Sequence, residues 1–64
     1  MRYTVGAVVR EEGAIGSFYG KKFDLELATP SERESDQRSE IISKLREAGF
    51  ETNAVLMVEP SISD

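Results

Sequence analysis

Only one segment of this chain carries helical periodicity, and its apolar stripe is short. Ile41, Ile42, Leu45 and Ala48 share one face, and the same face continued backwards runs through Arg38, Gln37 and Glu34. Such a helix covers one side of a small sheet, and only along its C-terminal turns. Its boundaries are written in the residues. Thr29-Pro30-Ser31-Glu32 has the order of a helix start: a hydroxyl to accept an orphan amide, a proline with no amide to lose, and a glutamate to bond back. Ser31 with Glu34 offers an overlapping start. Gly49 follows Ala48, and Phe50 is placed for the hydrophobic contact of a Schellman-type end. The spacing predicts one helix from about Pro30 to Ala48, with Glu34/Arg38 and Glu40/Lys44 as i,i+4 pairs.

The flanking segments read as strands. Tyr3, Val5, Ala7 and Val9 alternate with Arg2, Thr4, Gly6 and Arg10, which is a strand with one buried side; Val8 departs from the pattern. Glu11-Glu12-Gly13 is a turn signal. The glycine-rich stretch from Ala14 to Lys22 reads as a loop or a strongly bent ribbon. From Lys22 the alternation resumes, with Phe23, Leu25 and Leu27 against Lys22, Asp24 and Glu26. The last segment is continuously apolar from Ala54 to Val58, the pattern of a strand covered on both faces. Pro60 ends it, and residues 61–64 are expected to be a frayed tail.

Together these elements predict an α+β fold: a small three- to four-stranded, mostly antiparallel sheet in ββαβ order, with one helix packed on one face. It forms a single domain over residues 1–60. The helical crossover sets the last strand parallel to the second, with the first strand central. One helix covers one face, so the apolar last strand has a face left over. The simplest cover is a second copy of the chain, and a homodimer is expected.

Composition narrows the function. The chain has 64 residues, no cysteine and no histidine, which removes disulfides and the usual zinc ligands. A chain this short buries only about 60% of the surface its unfolded form exposes, so stability rests on good packing or on a partner. The absence of cysteine suits a reducing cytoplasm, the opening residues lack a signal-peptide pattern, and the longest apolar run is too short to span a bilayer. A cytoplasmic protein with no membrane role follows. Twelve acids against eight bases leave a net charge of −4, with −3 of it carried by Glu51, Glu59 and Asp64. Direct nucleic-acid binding, which depends on a basic surface, is therefore not expected.

Catalysis is not expected either. Without His or Cys, the acid–base groups are carboxylates, lysines and tyrosines. Asp24 and Glu26 share a strand face with Lys22, as residues of a solvated face do. Nothing resembles a nucleophile elbow. Gly16-Ser17-Phe18-Tyr19-Gly20-Lys21-Lys22 fails as a phosphate loop, because the glycines are one residue too close and Lys22 stands where Ser or Thr would bind magnesium. No cofactor and no metal are expected.

Two segments stand out as contact surfaces. Phe18 and Tyr19, followed by Lys21 and Lys22, supply adjacent aromatics with positive charge, suited to a protein interface or to stacking on single-stranded bases. The helix start is polar throughout, and Glu32, Asp36, Arg38 and Glu40 are its candidate contacts. The opening Met1-Arg2-Tyr3-Thr4-Val5, with a hairpin and helix after it, is similar to the start of HicB-type antitoxins over about ten residues of strand pattern. The proline- and glycine-bearing segment of that family after its second strand is missing, so no residue role is carried over.

The expectation is a small acidic non-enzymatic interaction module, an inhibitor or regulator that occupies a basic or nucleic-acid-binding surface of a larger protein. Phage and plasmid inhibitors, anti-CRISPR proteins among them, are analogous in size and composition alone. The alternatives are a nucleic-acid-binding accessory using Arg10, Phe18, Tyr19, Lys21 and Lys22, and a structural homo-oligomer joined through the last strand.

Overall fold

The computed structural model describes residues 1–61. Strand β1 (Arg2–Glu11) is followed by β2 (Tyr19–Glu26), helix α1 (Glu34–Glu47) and β3 (Phe50–Pro60). The sheet has three strands in the order β2-β1-β3, and β1 is antiparallel to both neighbours. β2 and β3 therefore run parallel to each other on opposite edges. The alternation of β1 is realised except at Gly6, which is buried on the open side: Tyr3, Val5, Ala7 and Val9 are buried and meet Leu27, Ile41 and Leu45 in one core. Phe23, Leu25, Phe50, Val55 and Val58 pack around it, with the Phe23 and Phe50 rings edge to face at 5.3 Å.

The turn after β1 forms where the glycine allows it. The Ala14 amide donates to the Glu11 carbonyl at 3.0 Å, and Gly13 takes φ +84°, where a side chain is strained. β2 begins at Tyr19, three residues before the resumed alternation that marks it in the sequence. The helix ends as its residues direct: Gly49 adopts φ +94°, and its amide donates to the Arg46 carbonyl at 2.9 Å.

The helix start differs from expectation. α1 begins at Glu34, four residues after Pro30, and Arg33 at its N-cap makes no side-chain cap bond. The Thr29 groups that would begin a helix are engaged elsewhere. Its amide donates to Glu40 Oε1 at 2.9 Å, and its carbonyl accepts from Gln37 Nε2 at 3.1 Å. Pro30 to Arg33 close a separate turn through an Arg33 amide to Pro30 carbonyl bond of 3.0 Å. Gln37, on the polar half of the helix, is consequently only 4% exposed, while Ala48 at the other end is exposed.

β3 also differs. It is an edge strand with one face on the core, so the reading of a strand covered on both sides is corrected. Two register shifts against β1 explain the apolar run. Gly6 faces Met57 and Ala7 faces Val55, which leaves Leu56 as an extra residue; Val8 faces Ala54 and Val9 faces Thr52, which leaves Asn53. Each extra residue resets the alternation, so Val55 and Val58, three apart, both reach the core side. Neither Val55 with Met57 nor Ala54 with Leu56 and Val58 is outward as a set, since Val55 and Val58 lie on the core side.

The tail begins later than expected. Ser61 is tied down: its amide donates to the Arg2 carbonyl at 3.0 Å, and its hydroxyl lies 3.0 Å from Thr4 Oγ1 and donates to Asp24 Oδ1 at 3.1 Å. Residues 62–64 of the expected tail lie outside the described residues.

Candidate interaction surface

Cross-strand partners in a sheet share a face, so the register places every candidate side chain. The side away from the helix carries Arg2, Thr4, Gly6, Val8 and Arg10 from β1, Gly20, Lys22, Asp24 and Glu26 from β2, and Glu51, Ala54, Met57 and Glu59 from β3. It is charged at both ends and apolar only at its middle. The left-over face is therefore narrower than the sequence suggests.

The aromatic and basic segment is divided by this register. Tyr19 and Lys21, opposite Val9 and Ala7, lie on the helix side, and Lys22, opposite Gly6, lies on the open side. Phe18 is engaged within the chain. The Arg10 guanidinium sits 4.4 Å above its ring, donates from Nη1 to the Gly16 carbonyl at 3.1 Å, and bonds Glu51 Oε2 through Nε at 3.2 Å. This stack pins the 14–18 loop against the sheet. Lys21 Nζ lies 5.9 Å above the Phe23 ring. Phe18, Tyr19, Lys21 and Lys22 thus form no single patch.

The polar helix residues are also separated. Glu40 is a structural group: its carboxylate accepts from the Ala28 amide at 2.8 Å and the Thr29 amide at 2.9 Å, and these bonds hold its carboxyl below the ordinary glutamate range. The expected Glu40/Lys44 and Glu34/Arg38 ion pairs do not form among the described residues, where the helix start instead pairs Arg33 with Asp36. Glu32 and Asp36 remain exposed, and Arg38 lines a groove against β3. On the sheet, Arg2 holds both Asp24, at 3.3 Å, and Glu26, at 3.8 Å, which makes these two carboxylates part of a surface network.

One residue that the sequence did not single out alone is more prominent than any of these. Leu56 is 67% exposed at the register shift of β3 opposite Gly6 and Ala7. It stands between two recesses. A groove of about 230 Å³ lies on one side, lined by Ser31, Glu34, Gln37, Arg38 and Val55 to Val58. On the other, a shallower and largely apolar cleft of about 380 Å³ runs over Gly6, Ala7, Gly20, Lys21, Lys22 and Met57. The continuous apolar run hinted at an outward hydrophobe; the bulge decides which residue it is.

Among the described residues no group of three or more carboxylate, His or Cys side chains is placed to hold a metal ion, and no helix is long and apolar enough to cross a membrane. No protein-family model, curated protein or solved structure matches the chain.

Proposed function

We propose that this chain is a cytoplasmic, non-enzymatic interaction module that regulates a larger protein by occupying its surface, with Leu56 on β3 as the anchor. Met1, Ile15 and Tyr19 are also exposed; the observation that carries the reading is that Leu56, on a strand fixed to the core, stands between two recesses that a partner side chain can fill. Rigid apolar anchors beside pockets are where binding energy concentrates. Arg38 and Glu34 on the groove wall supply a polar rim. The net charge of −4 favours a basic partner surface, such as one that otherwise binds nucleic acid, and speeds encounter with it.

The nucleic-acid reading is weaker on this geometry, because Arg10 is committed to Glu51 and Phe18 while Lys21 and Lys22 lie on opposite faces. The test is capture from source-cell lysate on wild-type and Leu56→Glu baits, each with and without nuclease. A protein band that survives nuclease and is lost on Leu56→Glu supports the reading. A band equally retained by the variant moves the contact to the polar helix start, and bands that vanish with nuclease favour the nucleic-acid alternative.

A further inference from the structure

β2 is an edge strand with an unbroken register. All eight of its residues pair with β1 without a shift, whereas β3 on the opposite edge shifts twice. Bulges blunt a sheet edge against further pairing; β2 has none, and what guards its edge is the charge of Lys21, Lys22, Asp24 and Glu26. Its helix side is also thinly covered. α1 packs chiefly against β3, which leaves Phe23 and Leu25 half-buried and Tyr19 44% exposed.

Charge restricts how a second copy can pair on this edge. For two sheets to merge, each residue must meet one on the same face, so a two-fold axis must pass through a residue and not between two. An axis at Lys21, Lys22 or Asp24 sets that residue against its own copy, like charge on like charge. An axis at Leu25 sets Asp24 against Glu26. The axis at Phe23 is different: Lys22 meets Asp24 of the second copy twice by symmetry, Phe23 meets Phe23, and Lys21 meets Leu25. Between Lys21 and Leu25, this alone puts no like charges opposite each other. Asp24 is already oriented by Arg2 and Ser61, yet its side chain stays 58% exposed and open to a further cation.

We propose that the chain self-associates through β2, two copies joining antiparallel about Phe23 into one continuous sheet with both helices on the same side. Leu56 lies on the opposite edge of the sheet, although Gly20, Lys21 and Lys22 of β2 also line the cleft beside it; self-association is measured on the chain alone, so the inference does not rest on the functional reading above. A dimer built this way carries a Leu56 edge at each outer end.

Light scattering after size exclusion, over a dilution series reaching millimolar chain, should show a species of twice the 7.1 kDa chain mass. Lys22→Asp and Asp24→Lys, each alone, should weaken it about tenfold or more, because two attractive cross-strand pairs become repulsive. Mixing the two variants should restore a mixed dimer, since one copy then offers two acids where the other offers two lysines. Circular dichroism checks that each variant keeps its fold. Carbodiimide coupling of the wild type should join Lys22 to Asp24 between copies, which requires neither variant to fold. A wild type that stays monomeric throughout overturns the proposal and leaves the edge to a strand from another protein. A dimer indifferent to both variants overturns it too and places the contact elsewhere.

Discussion

Met57 lies across Gly6 at the centre of the open sheet face, so closely that a β-carbon on Gly6 would sit 2.7 Å from the Met57 Cγ. Here glycine serves close approach. Alanine in a strand would by itself gain about 0.5–1 kcal/mol over glycine, but the contact is to the middle of the Met57 side chain and forces it to rotate away. Gly6→Ala is expected to cost about 1 kcal/mol net, kept small because methionine is unbranched and adaptable. Urea denaturation measures it. Gly6→Ala with Met57→Ala should lose less than the two single losses combined, since the second change removes the clash.

Glu40 ties the loop before the helix to the helix itself, through the amides of Ala28 and Thr29. Glu40→Ala should cost about 1–2 kcal/mol at neutral pH. Because these amides lower the carboxyl's pKa in the folded state, its contribution is fully present above the ordinary value of 4.5 and is lost as pH falls through the folded value. Thermal melts from pH 7 downward should show the gap between wild type and Glu40→Gln closing below that point. A constant gap would mean that the charge contributes nothing.

Thr52 faces Val9 on the helix side of β3, and its Oγ1 is buried with no hydrogen-bond partner among the described residues. Thr52→Val replaces that hydroxyl with a methyl of similar shape. The expected outcome is a gain of about 1 kcal/mol in denaturant stability, and a loss would show that the hydroxyl is satisfied.

Phe18 is held by the Arg10 guanidinium. Phe18→Ala should cost about 1 kcal/mol and speed amide hydrogen exchange from Ala14 to Phe18, while the Val5–Val9 amides stay protected. Unchanged exchange in that loop would mean that the stack does not order it.

Leu56 projects from the sheet and supports little of the core. Leu56→Glu should leave stability within about 0.5 kcal/mol, as surface substitutions do. Unfolding of this variant would show that Leu56 belongs to the core.

The sequence was most informative where one residue's physics is local. The alternation of Tyr3, Val5, Ala7 and Val9 predicts the buried side of β1, and these four are its core residues. Gly13 and Gly49 mark backbone positions with positive φ, and both adopt it. The helix start departs from its sequence pattern for a tertiary reason. Thr29 and Pro30 have the grammar of a cap, but the Thr29 amide and carbonyl bond to the side chains of Glu40 and Gln37, a helical turn or more further along.

The candidate site was legible only in part. A run such as Ala54 to Val58 states that hydrophobes are present and leaves open which of them look outward. That depends on where β3 shifts against β1, a relation between segments more than forty residues apart in the chain. The two shifts draw Val55 and Val58 onto the core and leave Leu56 in solvent. In the same way Phe18, Tyr19, Lys21 and Lys22 are neighbours in the chain, yet a strand turns alternate residues to opposite sides and Arg10 engages Phe18. The elements, the one-sided helix and the acidic charge follow from residues close together in the chain, because propensity, periodicity and titration are local properties. The register, and with it the surface, is set by how distant segments pair, because a slip of one residue in a strand exchanges the buried side for the exposed one.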